Sequence, residues 1–274
     1  MSWPETPASP AHAYQAYYGP AIFEPLAEQV VAANPPPPGA RVLDVASGTG
    51  ILSRRLAAAV GSGGRVLGVD VNPTMVQVAR DVTGDIPTIE YRQGDGTALD
   101  LPDGAFDAVY CQQGLQFFPD RAAGARQMRR VLTGSGRAVV ACWRGLDHHP
   151  LFAALADAEE PHLGALGVEV TRAELEAPFS LGDPAELEAL LCGAGFREVS
   201  ISPVSIDARF ADADRFVHHM EYAYAAVIPQ FAAQPEAFAR YLHAIEHDTR
   251  QVVESHRQGD HVVVPMHAHV AVAR

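Results

Sequence analysis

The chain contains no lysine: all 20 of its basic residues are arginine, set against 33 acidic ones. That absence excludes a lysine Schiff base, a P-loop lysine and a Tyr-Lys reductase pair. Cysteine is scarce as well. Cys111, Cys142 and Cys192 stand far apart with no paired spacing, which indicates neither a disulfide framework nor a zinc cluster and reads as small buried hydrophobes. No run approaches the roughly eighteen uninterrupted apolar residues of a membrane span. The start Met1-Ser2-Trp3-Pro4 lacks the basic and apolar regions of a signal peptide, so a cytoplasmic protein is expected. Positive charge is in deficit: a formal net charge of −13 opposes the phosphate neutralisation that dominates nucleic-acid affinity, and nucleic acid is not an expected partner.

What is present suits a globular enzyme. The 274 residues, 48% hydrophobic and 19% charged, make one large α/β domain or one domain with a sizeable insertion. The run Val42-Leu43-Asp44-Val45-Ala46-Ser47-Gly48-Thr49-Gly50 reads as a buried parallel strand that ends in a tight glycine loop and opens a helix, the place where an α/β sheet binds a nucleotide-like ligand. Asp44 stands where a pyrophosphate would need donors and positive charge, so the site favours a cation. A second apolar run over residues 65–71 ends at Asp70, 20 positions beyond Gly50, and an acid there can accept both ribose hydroxyls. Asn72-Pro73 then predicts a helix start, with Asn capping free amides and Pro at the first helical position.

Strands are expected at about residues 41–46, 65–70, 88–93, 105–111 and 136–143, with helices at 50–60, 73–83 and 121–132 between most of them. Alternation of this kind implies a doubly wound parallel sheet. Residues 11–33 read as an aromatic-rich helical region delivered to the first strand by the stiff spacer 35–38. Later, 150–160 and 183–193 read as helices, 195–206 as a strand and 261–272 as the last strand. The spacing of Phe216, Met220, Ala223 and Val227, and then of Phe231, Phe238, Tyr241, Leu242 and Ile245, predicts two helices.

The run over residues 42–50, Gly68-Val69-Asp70-Val71, Gly94-Asp95-Gly96-Thr97-Ala98-Leu99 and Phe106-Asp107-Ala108-Val109 resemble, in order, the motifs of class I S-adenosylmethionine-dependent methyltransferases. They resemble most the branch that includes the ubiquinone and menaquinone biosynthesis methyltransferases, over roughly residues 39–143. One departure is Ala46, which stands where many members have the first loop glycine.

The resemblance implies a Rossmann-like, mostly parallel seven-stranded sheet with an antiparallel last strand. It also implies three regions: an N-terminal helical flap (1–38), an α/β cofactor domain (39–210 and 261–274) and a helical cap insertion (211–260). The implied cofactor is S-adenosylmethionine. Asp44 would lie near its amino group, Gly48 and Gly50 would let the backbone approach, Asp70 would hold the ribose, and Asp95 would receive the adenine amino group. Tyr18, Phe23, Ala46, Ser47, Thr49, Val71, Met75, Gly94, Gly96, Thr97, Gln112, Gln113 and Gln116 complete the implied cofactor set.

Methyl transfer from a sulfonium is an in-line displacement, so the enzyme mainly aligns the partners and excludes water. The expected acceptor is a small, largely apolar molecule methylated at oxygen, with nitrogen or carbon as alternatives and a homodimer as the oligomer to test. A general base, where one is needed, is sought among His148, His149, His219 and Tyr222, with His218 and Glu221 beside them. Cys111 follows Tyr110, whereas the nucleophile of a cytosine-5 methyltransferase follows proline. His243-Ala244-Ile245-Glu246-His247 has the H-x-x-E-H form of one metalloprotease class, but nothing else in the chain reads as a protease and no metal is expected. A dinucleotide oxidoreductase would need a third loop glycine at Ser53 and a basic phosphate partner. A protein that binds the cofactor without catalysis satisfies the same motifs.

Overall fold

The structure, a computed structural model, describes residues 9–165, 171–224 and 235–274. The expectations placed on Met1-Ser2-Trp3-Pro4, Val227 and Phe231 lie outside the described residues. In chain order the elements are α1 (Pro10–Tyr18), a π-helical turn (Gly19–Phe23), α2 (Glu24–Ala33), β1 (Arg41–Val45), α3 (Ile51–Val60), β2 (Arg65–Asp70), α4 (Pro73–Thr83), β3 (Ile89–Gln93), β4 (Phe106–Gln112), α5 (Arg121–Val131) and β5 (Leu132–Trp143). There follow α6 (Pro150–Ala165), α7 (Arg172–Leu175), α8 (Pro184–Gly193), β6 (Val199–Ala211), α9 (Phe216–Tyr224), α10 (Pro235–Ser255), β7 (Arg257–Gln258) and β8 (His261–Ala273).

Two compact units divide the chain. One gathers Met1–Pro25, Leu146–Ala177 and Ile206–Met266; the other gathers Leu26–Gly145, Pro178–Ser205 and His267–Arg274. The sheet has the order β3-β2-β1-β4-β5-β8-β6, with the two-residue β7 paired to β8, and its first five strands lie in the second unit. The first five strands are parallel to their neighbours, and β8 runs antiparallel to β5. Chain direction across the sheet reverses between β1 and β4, the switch point outside whose carboxyl ends ligands bind in such folds.

The core explains the strands. Val42, Leu43 and Val45 of β1 are buried, as are Val66 and Val69 of β2, so the near-continuous apolar runs are those of strands covered on both faces. Leu43, Val69, Val109 and Val140 pack with Met128 and Val131 of α5 and with Leu187 and Leu191 of α8. Asn72 caps α4 as its sequence predicts, its side chain accepting from the N–H groups of Thr74 and Met75.

Several boundaries differ from the sequence reading: α6 runs on to Ala165 and β6 to Ala211, and two strands start elsewhere. β5 begins at Leu132 because Leu132 pairs with Phe106 before a register irregularity leads into the main run at Arg137. β6 begins at Val199 because Gly195 turns the chain at φ +97°. The first unit is mainly helical and holds an aromatic cluster in which Tyr14 stacks on Phe23 and Tyr17 contacts both Phe210 and His219. Among the described residues, no helix is long and apolar enough to cross a membrane.

Candidate cofactor site

The loop after β1 is tied to β2 by one carboxylate. Asp70, the last residue of β2, accepts from the Gly48 N–H through Oδ2 (2.8 Å) and from the Asn72 N–H through Oδ1 (2.9 Å). Ser47 N–H donates to Val69 O, and Gly50 N–H closes the loop onto Ser47 O. Within this loop Ala46, Gly48 and Gly50 all have positive φ, at 56°, 54° and 79°. Ala46 therefore holds a left-handed backbone that glycine would adopt without a side-chain penalty. A Cβ built on Gly48 would meet open space. Ser47 Oγ and Thr49 Oγ1, both buried, have no hydrogen-bond partner among the described residues. An open glycine flanked by uncommitted buried hydroxyls fits a polar ligand lying against the loop.

Asp44 is 1% exposed and accepts from the Ser53 hydroxyl at 2.6 Å. Burial pushes its carboxyl up to about 7, and the neighbouring Asp70 charge pushes in the same direction against the pull of Ser53. Burial also raises Asp70, while its two backbone N–H donors hold it down. Two desolvated carboxyl groups at the ends of adjacent strands make this loop a place for a cationic ligand.

Tyr91 of β3 belongs to the site and was not singled out from the sequence. Its ring crosses Gly68, where a Cβ would come within 2.6 Å of it, and its hydroxyl lies 3.0 Å from Thr83 Oγ1 and donates to Gly50 O at 3.4 Å. Gly50 has no room for a side chain, since a Cβ there would stand 2.2 Å from that hydroxyl. The small residues at 68 and 50 are the local signal that something large passes over them.

Beyond β3, Gly94 N–H donates to Asp70 O, and exposed Asp95 turns the chain by accepting from Thr97 N–H and Oγ1 through Oδ1. These bonds hold the Asp95 carboxyl below its usual range. Phe118 fills the space above Gly96 and Gly124. Val71 is 66% exposed directly after Asp70, an apolar side chain held at the carboxyl edge of the sheet. Met75 is half-buried in the first turn of α4.

After β4, Gln113 takes φ +55°, and its Oε1 accepts from Gln116 Nε2 (2.8 Å) and Trp143 N–H (3.0 Å). Gln116 Nε2 also donates to Pro178 O. These partners orient both amides: Gln113 is left to present its N–H groups and Gln116 its carbonyl, and both of those atoms are buried without a partner among the described residues. Gln112 ends β4 beside them, and a Cβ on Gly114 would touch Ala46, which places this loop against the first one.

The remaining candidates belong to the first unit. Tyr18 donates to Met220 O, and Phe23 stacks on Tyr14. His148 pairs with Asp147 at 3.5 Å, and His149 is fully buried with Phe152 at its edge. His219 is buried, lies 3.3 Å from Asp212 Oδ2 and packs on Tyr17; Tyr222 stacks with His218. Burial holds His219 below the usual imidazole range, with Asp212 pulling the other way. Asp212, a non-glycine residue at φ +59°, is the partner that sequence alone did not single out. His243 and His247 are exposed on α10, and among the described residues no group of three His, Cys, Asp or Glu side chains is arranged to hold a metal.

Comparison with known proteins concerns the same stretch of chain. Residues 43–140 match the family model of a methyltransferase domain. Over 105 residues the chain is 40% identical to the ubiquinone/menaquinone biosynthesis C-methyltransferase UbiE of Hahella chejuensis, covering 37% of this chain and 42% of that one. It is 38% identical over 111 residues to the 2-methyl-6-phytyl-1,4-hydroquinone methyltransferase of Synechocystis, covering 40% and 34%. The match thus spans less than half the length of these curated relatives. A solved structure from Anabaena variabilis, described as a methyltransferase of an antibiotic biosynthesis pathway, has a TM-score of 0.63 at 18% identity over 89% of this chain and 95% of that one, a likeness of fold. Over residues 43–140 the chain is thus similar to methyltransferase domains, and its fold is theirs.

Proposed function

We propose that the protein transfers a methyl group from S-adenosylmethionine to a small organic acceptor bearing a phenolic or enolic hydroxyl. The observation that carries this reading is the buried pair Asp44 and Asp70 at the strand ends beyond an open glycine loop. When bound, the cofactor supplies a methyl group on a cationic sulfur. Asp44 would meet its ammonium, Asp70 would hold the ribose while keeping the loop in shape, Val71 would contact the adenine, and Oδ2 of Asp95 would accept from the adenine amino group. Gln113 and Gln116 offer a fixed donor and a fixed acceptor to the reacting end of the ligands. The work of such a site is alignment and exclusion of water, which supplies several kcal/mol without an obligatory acid.

Transfer to oxygen is the first reading. A specific observation favours a second: relatives matched over this segment include a C-methyltransferase and a hydroquinone methyltransferase. A phenolate spreads its charge over oxygen and ring carbon, so the same acceptor class serves both. The net charge of −13 supports a small molecule over nucleic acid. The segment 211–260 is proposed to select the acceptor, with His219 oriented by Asp212 as the base.

Calorimetric titration with S-adenosylhomocysteine, with NADH in parallel, tests the cofactor. Binding of the first alone is expected, and binding of NADH alone overturns the reading. Turnover of a panel of phenols and enols with carbon-13-labelled methyl donor then assigns the atom, since O-methyl and C-methyl carbons resonate far apart.

A further inference from the structure

Asp44 and Asp70 bring two buried carboxyl groups together, and their hydrogen bonds differ in kind. Both oxygens of Asp70 accept from backbone N–H groups, donors that cannot reverse. A proton on either oxygen would oppose one of them. The short bond of Asp44 is to the Ser53 hydroxyl at 2.6 Å, and a hydroxyl accepts from a carboxylic acid as readily as it donates to a carboxylate. Ser53 N–H adds a pull toward the charged form. Where one proton is held by this pair, it therefore sits on Asp44.

The other groups facing Asp44 do not compensate its charge. Tyr91 from β3 and Cys111 from β4 both feel it, and burial keeps both neutral, the Cys111 thiol being pushed up to about 12. Arg54 of α3 is turned to Thr49 O at 2.8 Å. Helix α3 contributes Ser53, and β2 contributes Asp70.

Resting on the cofactor reading above, we propose that Asp44 carries a proton in the ligand-free protein and yields it to solvent when the cofactor's ammonium arrives, so that each cofactor bound releases one proton. The acid becomes a carboxylate and the proton leaves to buffer; the ammonium keeps its own protons. Binding is thereby coupled to pH across the neutral range, where Asp44 titrates at about 7.

The test is calorimetry at pH 6 in two buffers of different ionisation enthalpy, with S-adenosylhomocysteine and with 5′-methylthioadenosine, which lacks the amino acid end. Release of close to one proton is expected with the first ligand and none with the second. Affinity for the first should rise by about tenfold per pH unit between pH 5.5 and 6.5 and level off above about pH 8. Ser53→Ala should move that levelling to higher pH, and Asp44→Asn should abolish both the release and the pH dependence. S-adenosylhomocysteine binding with identical heats in both buffers and a flat pH profile overturns this inference alone. Equal release with methylthioadenosine overturns it by assigning the proton elsewhere. No binding of S-adenosylhomocysteine at any pH overturns the cofactor reading and this inference with it.

Discussion

Gly50→Ala tests whether the loop is shaped by Tyr91. At φ +79° an alanine carries a left-handed penalty of about 1–2 kcal/mol. Its Cβ would stand 2.2 Å from the Tyr91 hydroxyl and 2.7 Å from the ring carbon bearing it, so the ring must move. Displacing a packed ring costs about 1–3 kcal/mol. The hydroxyl also gives up its bonds to Thr83 and Gly50, each worth about 0.5–1.5 kcal/mol. Lower entropy of the unfolded chain returns about 0.4–1 kcal/mol. The net expectation is a loss of about 5 kcal/mol in urea unfolding, within a range of roughly 2 to 8.

The matched control is Gly48→Ala. Its φ of +54° carries a similar backbone penalty, but its Cβ meets open space. Stability should fall by only about 1 kcal/mol, while affinity for S-adenosylhomocysteine falls more than about tenfold because the methyl stands where the ligand approaches. In a double-mutant cycle Tyr91→Phe should recover part of the Gly50→Ala loss. Stability of Gly50→Ala within 1 kcal/mol of the unmodified protein, or an additive cycle, would refute the packing argument.

Three further outcomes are expected. Asp70→Asn places an amide N–H against a backbone N–H and should cost about 1–3 kcal/mol in stability, with at least a tenfold loss of S-adenosylhomocysteine affinity measured by calorimetry. Gln113→Glu keeps the acceptor used by Gln116 and Trp143 but replaces the buried N–H groups with a carboxylate oxygen; it should cost at least about 1–3 kcal/mol in stability and raise KM for the methyl donor about tenfold. In the first unit, Glu159 of α6 and Glu221 of α9 are buried and share a hydrogen bond, with Tyr241 of α10 donating to Glu221 at 2.9 Å and Arg172 acting on Glu159 from α7. Burial raises both carboxyls, Glu159 to about 7, so their contribution is full below the ordinary glutamate range and is lost as pH rises toward 7. Glu221→Gln should flatten that loss and raise Tm at pH 8 by a few degrees, the scale of about 1 kcal/mol; an unchanged pH profile would count against the shared proton.

Much of the second unit was legible because it is built from local pattern. Val42 to Val45 and Val66 to Val69 read as buried strands, and both are. Asn72-Pro73 read as a helix start, and the Asn72 side chain caps α4. The loop at 46–50 was legible for the same reason, since a glycine-rich turn between a strand and a helix depends on neighbours in the chain. Tyr91 was not, because its place depends on Gly68 lacking a side chain on the adjacent strand and Gly50 lacking one on the loop, and no single window contains all three. The early start of β5 was hidden by Gly134 and Gly136, which read as a turn until Leu132 is seen to pair with Phe106.

The same distinction explains why the cofactor is readable and the acceptor is not. The proposed cofactor recognition uses backbone N–H groups and carboxylates spaced along one strand–loop–helix unit, and Gly48, Asp44 and Asp70 lie within about thirty residues of each other. The first unit draws on three separate stretches of chain: His219 meets Asp212 seven residues away but packs on Tyr17 from the far end of the sequence, and Glu221 meets partners on α6 and α10. Such a set has no spacing to recognise; it exists only once the helices are assembled. A chain can therefore carry a methyltransferase-like motif in one stretch while the buried set around His219 and Glu221 exists only through tertiary contacts. His219→Ala separates the two levels: with the acceptor identified by turnover, loss of kcat at unchanged S-adenosylhomocysteine affinity assigns His219 to the acceptor chemistry, whereas a parallel loss of donor affinity would remove it from that role.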